Sequence, residues 1–447
     1  MVRAPDHDPA LPRPFRLPGT AECGAEQVYT LLHEAGKVHR VTLPGGLEAW
    51  AVTGFDAVRR AARDRRLVHD PRRVHGARHG IPARRYPLDG VSACRNVLSA
   101  DADDHVRLRG LLRPFLTPEA VARREPVVRD AVHGALDRIA QQGGGDLAAG
   151  LALPVATAAV THLLGLPAHR ADRLVGLSLL VSGSAHPDEP EMAASEAAMR
   201  KELVALVAHV RGNPGDNLTT AMVEAHRQGT ISGDELLGSL SFVLFAAVDS
   251  TVAAIPTGAL HLLAENGHEL RLLLSEGGPD EVDGLIEDVL RLAAPFTYGA
   301  LRFAAEPLEL RGHRIETGDP VVLCFPAANV DPRAWSDAWR LLPDRTGRAR
   351  HLSFGYGPHF CPGADLGRLQ VRTALVALFR RFPRLGLAAE VGELSCRVGV
   401  ARHFLSVPVL TGGPSVTAMP PGPVGSTRRV PGQEGAGGQV GASKGEA

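Results

Sequence analysis

The sequence has no excess of charge of either sign. Its 447 residues include 49 Lys and Arg and 49 Asp and Glu. A protein that binds nucleic acid or an anionic membrane through its overall field carries an excess of positive charge, so this balance argues against both partners. We therefore expect any charge-guided partner to use a local patch.

Cysteine is also scarce. The five cysteines are Cys23, Cys94, Cys324, Cys361 and Cys396. A scattered set of odd number is poor material for a disulfide framework and is typical of a protein in a reducing compartment. We accordingly expect a cytoplasmic protein.

The start of the chain lacks a long apolar run. The stretch MVRAPDHDPALPRPFRLPG is rich in proline and has no hydrophobic core of a signal peptide, so we expect neither a signal peptide nor a membrane anchor. Beyond Gly412 the composition shifts to Gly and Pro with few apolar residues, which predicts a disordered tail. The predicted organisation is a proline-rich segment 1–19, one large domain 20–411 and a tail 412–447.

Helical patterns fill most of the chain, and the strand patterns between them are short. KVHRVTLPGGLEAWAVTG predicts a hairpin around residues 44–46, followed by a helix through AVRRAARD. Two further short strands are predicted on either side of Gly318, and another in FLSVPVL. These patterns predict a mainly α fold of the α+β class, with small β-sheets built from distant segments.

What the sequence does have is a glycine-rich turn around one cysteine, in HLSFGYGPHFCPGADLGRLQ from residue 351. Gly355, Gly357 and Gly363 permit tight or left-handed backbone, so the loop can fold closely around something flat. The helical pattern that follows, with Pro362 at its first position, places Cys361 at a helix N-terminus. The helix dipole favours a negative sulfur there, so we expect this thiol to ionise more readily than a buried structural one.

The residues around Cys361 leave four interpretations open. A buried structural cysteine would not explain three glycines at these spacings. A zinc site could use His351, His359 and Cys361, but no convincing fourth ligand is evident. A cysteine hydrolase needs a base oriented by a third group, and His359 is too close in sequence for the usual arrangement. The fourth interpretation is an axial thiolate to heme iron.

A second signal lies in LLGSLSFVLFAAVDSTVAAIPTGALHLLAEN from Leu236, which is apolar on nearly all sides before Asp249. The pattern predicts a buried helix, and its apolar run is far shorter than the roughly twenty residues of a membrane span. Pro256 removes one helix hydrogen bond, so the polar residues Asp249, Ser250 and Thr251 lie beside a loosened backbone. An acid next to a hydroxyl can deliver protons into a dry pocket. The structural alternative is an Asp satisfied by a local bond or by a distant Arg.

The Cys361 turn resembles a known motif. Six residues match all fixed positions of F-G-x-G-x-H-x-C-x-G, the heme-binding loop of the cytochrome P450 family: Phe354, Gly355, Gly357, His359, Cys361 and Gly363. The resemblance to soluble bacterial members extends from about residue 20 to 411. It implies the cytochrome P450 fold, a single large domain with heme b between the long central helix and the cysteine loop, and it implies that Cys361 is the axial ligand of the iron.

The central helix also resembles the family. Residues 246–251, AAVDST, are similar to its oxygen-binding motif, usually Ala/Gly-Gly-x-Asp/Glu-Thr-Thr/Ser. The resemblance implies that Asp249, Ser250 and Thr251 relay protons. Ala247 replaces a common glycine and Ser250 replaces the usual threonine, so the hydroxyl is kept but the rotamer-restricting methyl is lost.

Further residues match the family one by one. The resemblance implies propionate ligands at His105, Arg109, Arg302 and His359. In LIEDVLRL, Asp288 and Arg291 resemble the E-x-x-R pair, with Asp in place of Glu, and Arg345 resembles its third member; Glu287, four residues before Arg291, could pair with it instead. The expected pocket residues are Ala246, Val248, Phe296, Thr297 and Phe404.

The resemblance implies a monooxygenase that uses dioxygen to hydroxylate or epoxidise a mostly apolar small molecule, a function typical of specialised metabolism. Electrons from NAD(P)H would come through a separate ferredoxin and ferredoxin reductase, because the chain has no spare cysteine cluster and no dinucleotide-binding glycine loop. A basic docking face is predicted at Arg368, Arg372, Arg380 and Arg381. We expect a monomer. The alternatives are oxidative C–C or C–heteroatom coupling without oxygen insertion, which Ser250 would permit, and a catalytically silent P450-like partner protein.

Overall fold

A computed structural model of the chain describes residues 15–16, 25–43, 46–75, 94–183, 190–264, 267–345, 350–398 and 401–412. Most of these residues are helical. The helices are α1 (Ala25–Ala35), α2 (Phe55–Ala61), α3 (Ala102–Leu112), α4 (Pro118–Ala122), α5 (Glu125–Gln142), α6 (Leu153–Leu164), α7 (Ala168–Gly183), α8 (Pro190–Gly212), α9 (Leu218–Arg227), α10 (Gly233–Leu263), α11 (Gly267–Glu276), α12 (Pro279–Leu292), α13 (Phe325–Asn329) and α14 (Ala364–Arg381).

The described strands are short. They are β1 (Phe15–Arg16), β2 (Val38–Thr42), β3 (Glu48–Val52), β4 (Leu67–Val68), β5 (Gly144–Asp146), β6 (Arg302–Ala304), β7 (Leu308–Leu310), β8 (His313–Ile315), β9 (Pro320–Leu323), β10 (Gly386–Leu387), β11 (Cys396–Val398), β12 (Arg402–Phe404) and β13 (Pro408–Leu410). They form a six-stranded sheet in the order β1-β2-β3-β9-β6-β4, a three-stranded sheet β10-β13-β5, and the two-stranded sheets β11-β12 and β7-β8.

This architecture confirms the predicted mainly α fold with small sheets made from distant segments. In the largest sheet β3 runs parallel to β9, with Trp50 opposite Val321. The predicted hairpin is confirmed as the antiparallel pair β2 and β3. The strands on either side of Gly318 also exist, as β8 and β9, but they do not pair with each other: β8 pairs with β7, and β9 with β3 and β6. The predicted strand in FLSVPVL is divided between the end of β12 and β13.

The first strand lies inside the predicted N-terminal segment 1–19. Phe15 and Arg16 pair in parallel with Val41 and Thr42 of β2. The large sheet therefore reaches back across the predicted boundary at residue 20. The predicted tail, from residue 413 onward, lies outside the described residues.

Helix α10 forms the centre of the molecule. Its start is fixed by a capping box, in which Ser232 and Glu235 each bond the other's backbone N–H. It is long and apolar enough to span a membrane, but 72% of its apolar window is buried inside the protein, so it is the core helix. Gly258 permits close packing with α12, because a Cβ there would lie 2.8 Å from Val289 Cγ1.

One cysteine differs from the others that the structure describes. Cys396 is disulfide-bonded, whereas Cys94, Cys324 and Cys361 are free thiols. The dispersed cysteines gave no reason to expect a disulfide at this position.

Candidate functional site

The cysteine loop is held in place by its own backbone. The Cys361 N–H donates to the Phe354 carbonyl over 2.8 Å, which closes the turn. Gly357 has φ +80°, and a Cβ there would lie 3.0 Å from the Ala62 carbonyl just after α2. Glycine therefore allows both the left-handed backbone and the close approach to α2.

The start of the following helix differs from the prediction. Gly363 is the N-cap of α14, and the helix begins at Ala364, so Pro362 precedes the helix instead of occupying its first position. Cys361 lies two residues before the N-cap, still next to the first helical turn.

Burial opposes ionisation of the Cys361 thiol more strongly than we expected. Desolvation raises its pKa, while the Gly363 backbone and the positive charges of Arg109 and Arg368 act in the opposite direction. Cys324 is buried without such compensation, and its pKa rises to about 12. The Gly363 backbone and the two arginines therefore offset part of the effect of burial, and the pKa of the Cys361 thiol stays above its ordinary value.

Three imidazole rings form a buried cluster beside the cysteine loop. The His359 ring lies between those of His69 and His105, with centroid distances of 4.1 Å to each. The sequence predicts a role for His105 and His359 but not for His69, which follows β4. The backbone carbonyl of Leu301, next to Arg302, lies 3.1 Å from His69 Nδ1.

Asp101 connects the parts of this cluster. One of its carboxylate oxygens accepts hydrogen bonds from the backbone N–H groups of His69, at 2.9 Å, and Asp70, at 2.8 Å. The other oxygen lies 3.9 Å from His359 Nε2. Because Asp101 is also the N-cap of α3, it fixes the helix that carries His105 and Arg109 against the segment that carries His69.

The cluster holds buried polar atoms and a buried cation without partners. The Nε2 atoms of His69 and His105 are buried and have no hydrogen-bond partner. Arg302 is 5% exposed and forms no ion pair with a residue that the structure describes. Burial lowers the pKa of Arg302 to about 10 and that of His359 to about 3. A buried anion would pair with the Arg302 charge and would accept hydrogen bonds from Nε2 atoms that carry a proton. The two propionates of a heme fit this chemistry.

The polar residues of α10 point in different directions. Ser250 Oγ donates to the Ala246 carbonyl over 2.6 Å. Thr251 Oγ1 lies 3.0 Å from the Ala247 carbonyl and 3.2 Å from Gln370 Oε1 on α14. The Thr251 hydroxyl is thus directed to the interface with α14, and Ser250 lies on the face of Ala246.

The structure brings the predicted structural residues together. Asp288, fully buried, lies 2.7 Å from Arg291 Nε and 2.9 Å from Arg345 Nε. It also accepts a 2.8 Å bond from the Leu342 N–H. Both arginines use their remaining N–H groups on backbone carbonyls of residues 329–340, so the cluster ties this long segment to α12.

The neighbouring Glu287 makes a separate set of contacts. Its carboxylate bonds Arg368 at 2.7 Å and lies 3.2 Å from His351 Nε2. These contacts hold the pKa of Glu287 at about 2 in spite of its burial. Asp288, not Glu287, is therefore the partner of Arg291. His351 is engaged here, and no group of three His, Cys, Asp or Glu side chains suited to a metal ion occurs among the described residues.

The expected pocket residues do not all lie on one surface. Phe296 and Phe404 are half-buried, and Phe404 packs against the core of α5, α10, α12 and α14. Val248 is fully buried in the core between α10 and the helices α3 and α6 to α9. Phe245, which the sequence analysis had not named, places its ring 6.2 Å from Phe296. Thr297 is 6% exposed, and its hydroxyl has no hydrogen-bond partner.

The predicted basic docking face is largely neutralised. Arg368 bonds Glu287, Arg372 lies 2.6 Å from Asp283 and Arg381 2.6 Å from Asp137. Arg380 donates to the Ser275 carbonyl.

A different set of arginines lines a cavity of about 700 Å³ on the outside of the cysteine loop. They are Arg59, Arg63, Arg65 and Arg350. None of the four forms an ion pair with a described residue. Arg59 and Arg63 lie over the Tyr356 ring, at 4.8 and 4.5 Å from its centroid.

Comparison with known proteins agrees with this geometry. The family profile of Cytochrome P450 matches residues 282–385. The chain is 33% identical over 373 residues to the cytochrome P450 monooxygenase PikC of Streptomyces venezuelae, covering 82% of this chain and 86% of PikC. It is 32% identical to the 6-deoxyerythronolide B hydroxylase of Saccharopolyspora erythraea over 83% of this chain and 92% of that enzyme.

A solved structure is also similar throughout its length. The cytochrome P450 enzyme CxnD, for C–S bond formation in chuangxinmycin biosynthesis, has a TM-score of 0.81 and 28% identity, covering 92% of this chain and all of CxnD. The chain therefore belongs to the cytochrome P450 family, and it is a heme-dependent monooxygenase of specialised metabolism.

Proposed function

We propose that the protein inserts one oxygen atom of dioxygen into a C–H or C=C bond of a mostly apolar small molecule. In the C–H case the substrate, dioxygen, two protons and two electrons yield the alcohol and water, so atoms and charge balance. The observation that carries this proposal is the free thiol of Cys361 on a glycine loop beside a buried cluster of histidines. Heme, when bound, supplies the iron at which dioxygen is activated.

Several residues hold this cofactor. Cys361 would provide the thiolate ligand of the iron, and the turn of Phe354, Gly355 and Gly363 would let the loop approach the ring. The propionates would be received by five side chains around the buried cluster: His105, Arg109, Arg302, His359 and His69. We include His69 because its ring lies against His359 and its buried Nε2 has no partner; with Nδ1 donating to the Leu301 carbonyl, Nε2 donates to a carboxylate once a nearby anion favours the protonated ring.

The protons come from α10. Asp249 is fully buried, and Ser250 is half-buried one residue further along. An acid and a hydroxyl in a water-poor site can position the water that carries a proton inward. Thr251 has a supporting part, because its hydroxyl is directed to Gln370.

The substrate is a mostly apolar product of specialised metabolism. Phe245, Phe296 and Phe404 offer aromatic surface on three segments, and the small side chain of Ala246 would leave space for a substrate. Thr297 supplies a hydroxyl that can orient a polar group of the substrate. One relative is named for hydroxylation of 6-deoxyerythronolide B, which supports a substrate of comparable chemistry.

Electrons from NAD(P)H arrive through a ferredoxin reductase and an acidic ferredoxin. We place the docking site at the arginine cavity, because Arg59, Arg63, Arg65 and Arg350 have no carboxylate partner among the described residues. Phe360, next to Cys361, is 40% exposed at the same cavity. The protein acts as a monomer in the cytoplasm, where such carriers are found.

A second candidate function is oxidative coupling without oxygen insertion. It is favoured by the similarity to CxnD, whose described reaction is C–S bond formation, and by serine at position 250. Replacing Ser250 by Ala separates the two functions, because oxygen insertion should fall sharply while radical coupling should fall little. Ser250→Thr is the control that retains the hydroxyl.

The first test is the spectrum of the reduced protein under carbon monoxide, with Cys361→Ser as the paired variant. A strongly red-shifted Soret band that disappears in the variant is expected for thiolate-bound heme. A folded wild-type protein without that band would overturn the proposal. Product analysis in ¹⁸O-labelled dioxygen then tests insertion directly, since the coupling function predicts an unlabelled product.

A further inference from the structure

A histidine on the β11–β12 hairpin contacts the acid of α10. His403, at the middle of β12, is 6% exposed and Asp249 is fully buried. The distance from His403 Nε2 to Asp249 Oδ1 is 3.5 Å, at which His403 Nε2 is close to the carboxylate but has not formed a hydrogen bond. Nothing in the sequence motif around Asp249 indicates this contact, because the two residues are more than 150 positions apart.

The surroundings of His403 define its protonation state. Burial, reinforced by the charge of Arg397 on β11, lowers its pKa to about 4. Arg397 is the cross-strand neighbour of His403, and Asp249 faces it from α10. A neutral imidazole at pH 7 with its proton on Nε2 is a donor next to this carboxylate oxygen, and a small side-chain movement brings the pair to hydrogen-bond distance.

The same hairpin contacts residues of the proposed substrate pocket. Ala401, just before β12, pairs with Phe296, and the backbone N–H of Arg402 donates to the Pro295 carbonyl. Phe404 follows His403 directly. The strand that carries His403 is therefore fixed to the pocket segment on one side and to the acid on the other.

We propose that His403 is a positioning residue for Asp249, which it holds through Nε2 and thereby couples to the β12 wall of the pocket. This inference rests on the proposed proton-delivery function of Asp249. A substrate that packs against Phe296 and Phe404 stabilises β12, and β12 in turn keeps the carboxylate in the orientation that proton transfer needs. Without His403 the acid is present but less well oriented.

The test compares His403→Phe, which keeps a ring but loses the donor, with His403→Gln, which keeps a donor. The readout is product formed per NADPH consumed, with hydrogen peroxide measured as the unproductive outlet, together with the solvent isotope effect on turnover. A small displacement of a reacting group can lower a rate by up to about a hundredfold. We expect His403→Phe to lower coupling by about tenfold on that scale, with an altered isotope effect, and His403→Gln to recover most of it.

The control is His261→Phe. His261 also lies on α10, and burial lowers its pKa to about 4, but it forms no ion pair with a described carboxylate. His261→Phe therefore shows how far the loss of an imidazole alone lowers product per NADPH. An additional loss in His403→Phe is then due to the poorer orientation of Asp249. The carbon monoxide spectrum verifies that each variant holds heme equally.

A measurement independent of turnover completes the test. In a double-mutant cycle of equilibrium unfolding, His403→Phe and Asp249→Asn should be non-additive, the double variant being less destabilised than the sum of the two. Additive effects together with unchanged coupling in His403→Phe would overturn the inference. If Asp249→Asn itself leaves product per NADPH unchanged, the proposed function of Asp249 fails, which is a separate result.

Discussion

The buried cluster around Asp288 supports a quantitative prediction for Asp288→Asn. The substitution keeps the shape of the side chain but removes a negative charge that faces two guanidinium groups. Arg291 is fully buried and Arg345 is 6% exposed, so neither charge can turn to water. Removing one member of a buried ion pair costs about 3–5 kcal/mol, because the remaining charge is left uncompensated. We expect Asp288→Asn to lower the free energy of unfolding by that amount.

The assay is denaturant unfolding of the heme-loaded protein, followed by tryptophan fluorescence. Trp335 is a suitable reporter because the Arg291 guanidinium lies 5.3 Å from its ring centroid. Glu287→Gln is the matched control, one residue away on the same helix, with its carboxylate 16% exposed. Loss of its charged hydrogen bonds should cost about 1.5–3 kcal/mol.

Two results would contradict this prediction. One is an equal loss in the free energy of unfolding for Asp288→Asn and Glu287→Gln. The other is a loss below about 1 kcal/mol for Asp288→Asn, because that is the usual cost of losing an ion pair at the surface. If Asp288→Asn does not accumulate as folded protein, Arg345→Lys provides the measurement. It keeps the charge but loses the fork geometry on which the carbonyl contacts depend.

Three further predictions follow from the same geometry. Replacing His69 by Phe should accelerate heme transfer to an acceptor protein by about tenfold or more, the equivalent of one charged hydrogen bond, while His162→Phe on α6 should not. Arg59→Glu combined with Arg63→Glu should raise the KM for an acidic ferredoxin and flatten its salt dependence; no difference from Arg372→Glu would contradict our docking site. Because the pKa of Glu287 is lowered from 4.5 to about 2, its contribution to stability is present above pH 4.5 and is lost as the pH falls toward 2. Acid unfolding of Glu287→Gln should therefore be less steep over that interval, and equal steepness would refute the assignment.

The parts of the site that were predicted from the sequence are those encoded over short distances, together with distant residues such as Arg345 that match the family one by one. The turn from Phe354 to Gly363 is contiguous, and Asp288 and Arg291 are one helical turn apart. The fold class followed in the same way, from helical periodicity and from short apolar runs. Where a prediction depended on pairing between segments it was less accurate, as for the strands beside Gly318, because local patterns do not specify which strands become neighbours.

The two histidines that the sequence analysis missed are explained by long-range pairing. His69 reaches the cluster because β4 pairs with β6, which sets Leu67 opposite Ala304. His403 reaches Asp249 because the β11–β12 hairpin packs on α10. No spacing rule connects residues so far apart in the chain, so only the folded structure could identify them.

The histidine cluster also links cofactor binding to folding. A buried donor or acceptor without a partner costs about 1–3 kcal/mol, and His69 and His105 each hold such an atom. A carboxylate that accepts from these Nε2 atoms in their protonated form removes both costs, so part of the affinity for heme is the relief of unfavourable burial in the protein itself. His69→Phe removes the unpaired Nε2 but also the Nδ1–Leu301 hydrogen bond, so we expect the stability of the heme-free chain to change little while heme binding weakens. A structural histidine would lower both, and comparing unfolding of the heme-free and heme-loaded variants distinguishes the two.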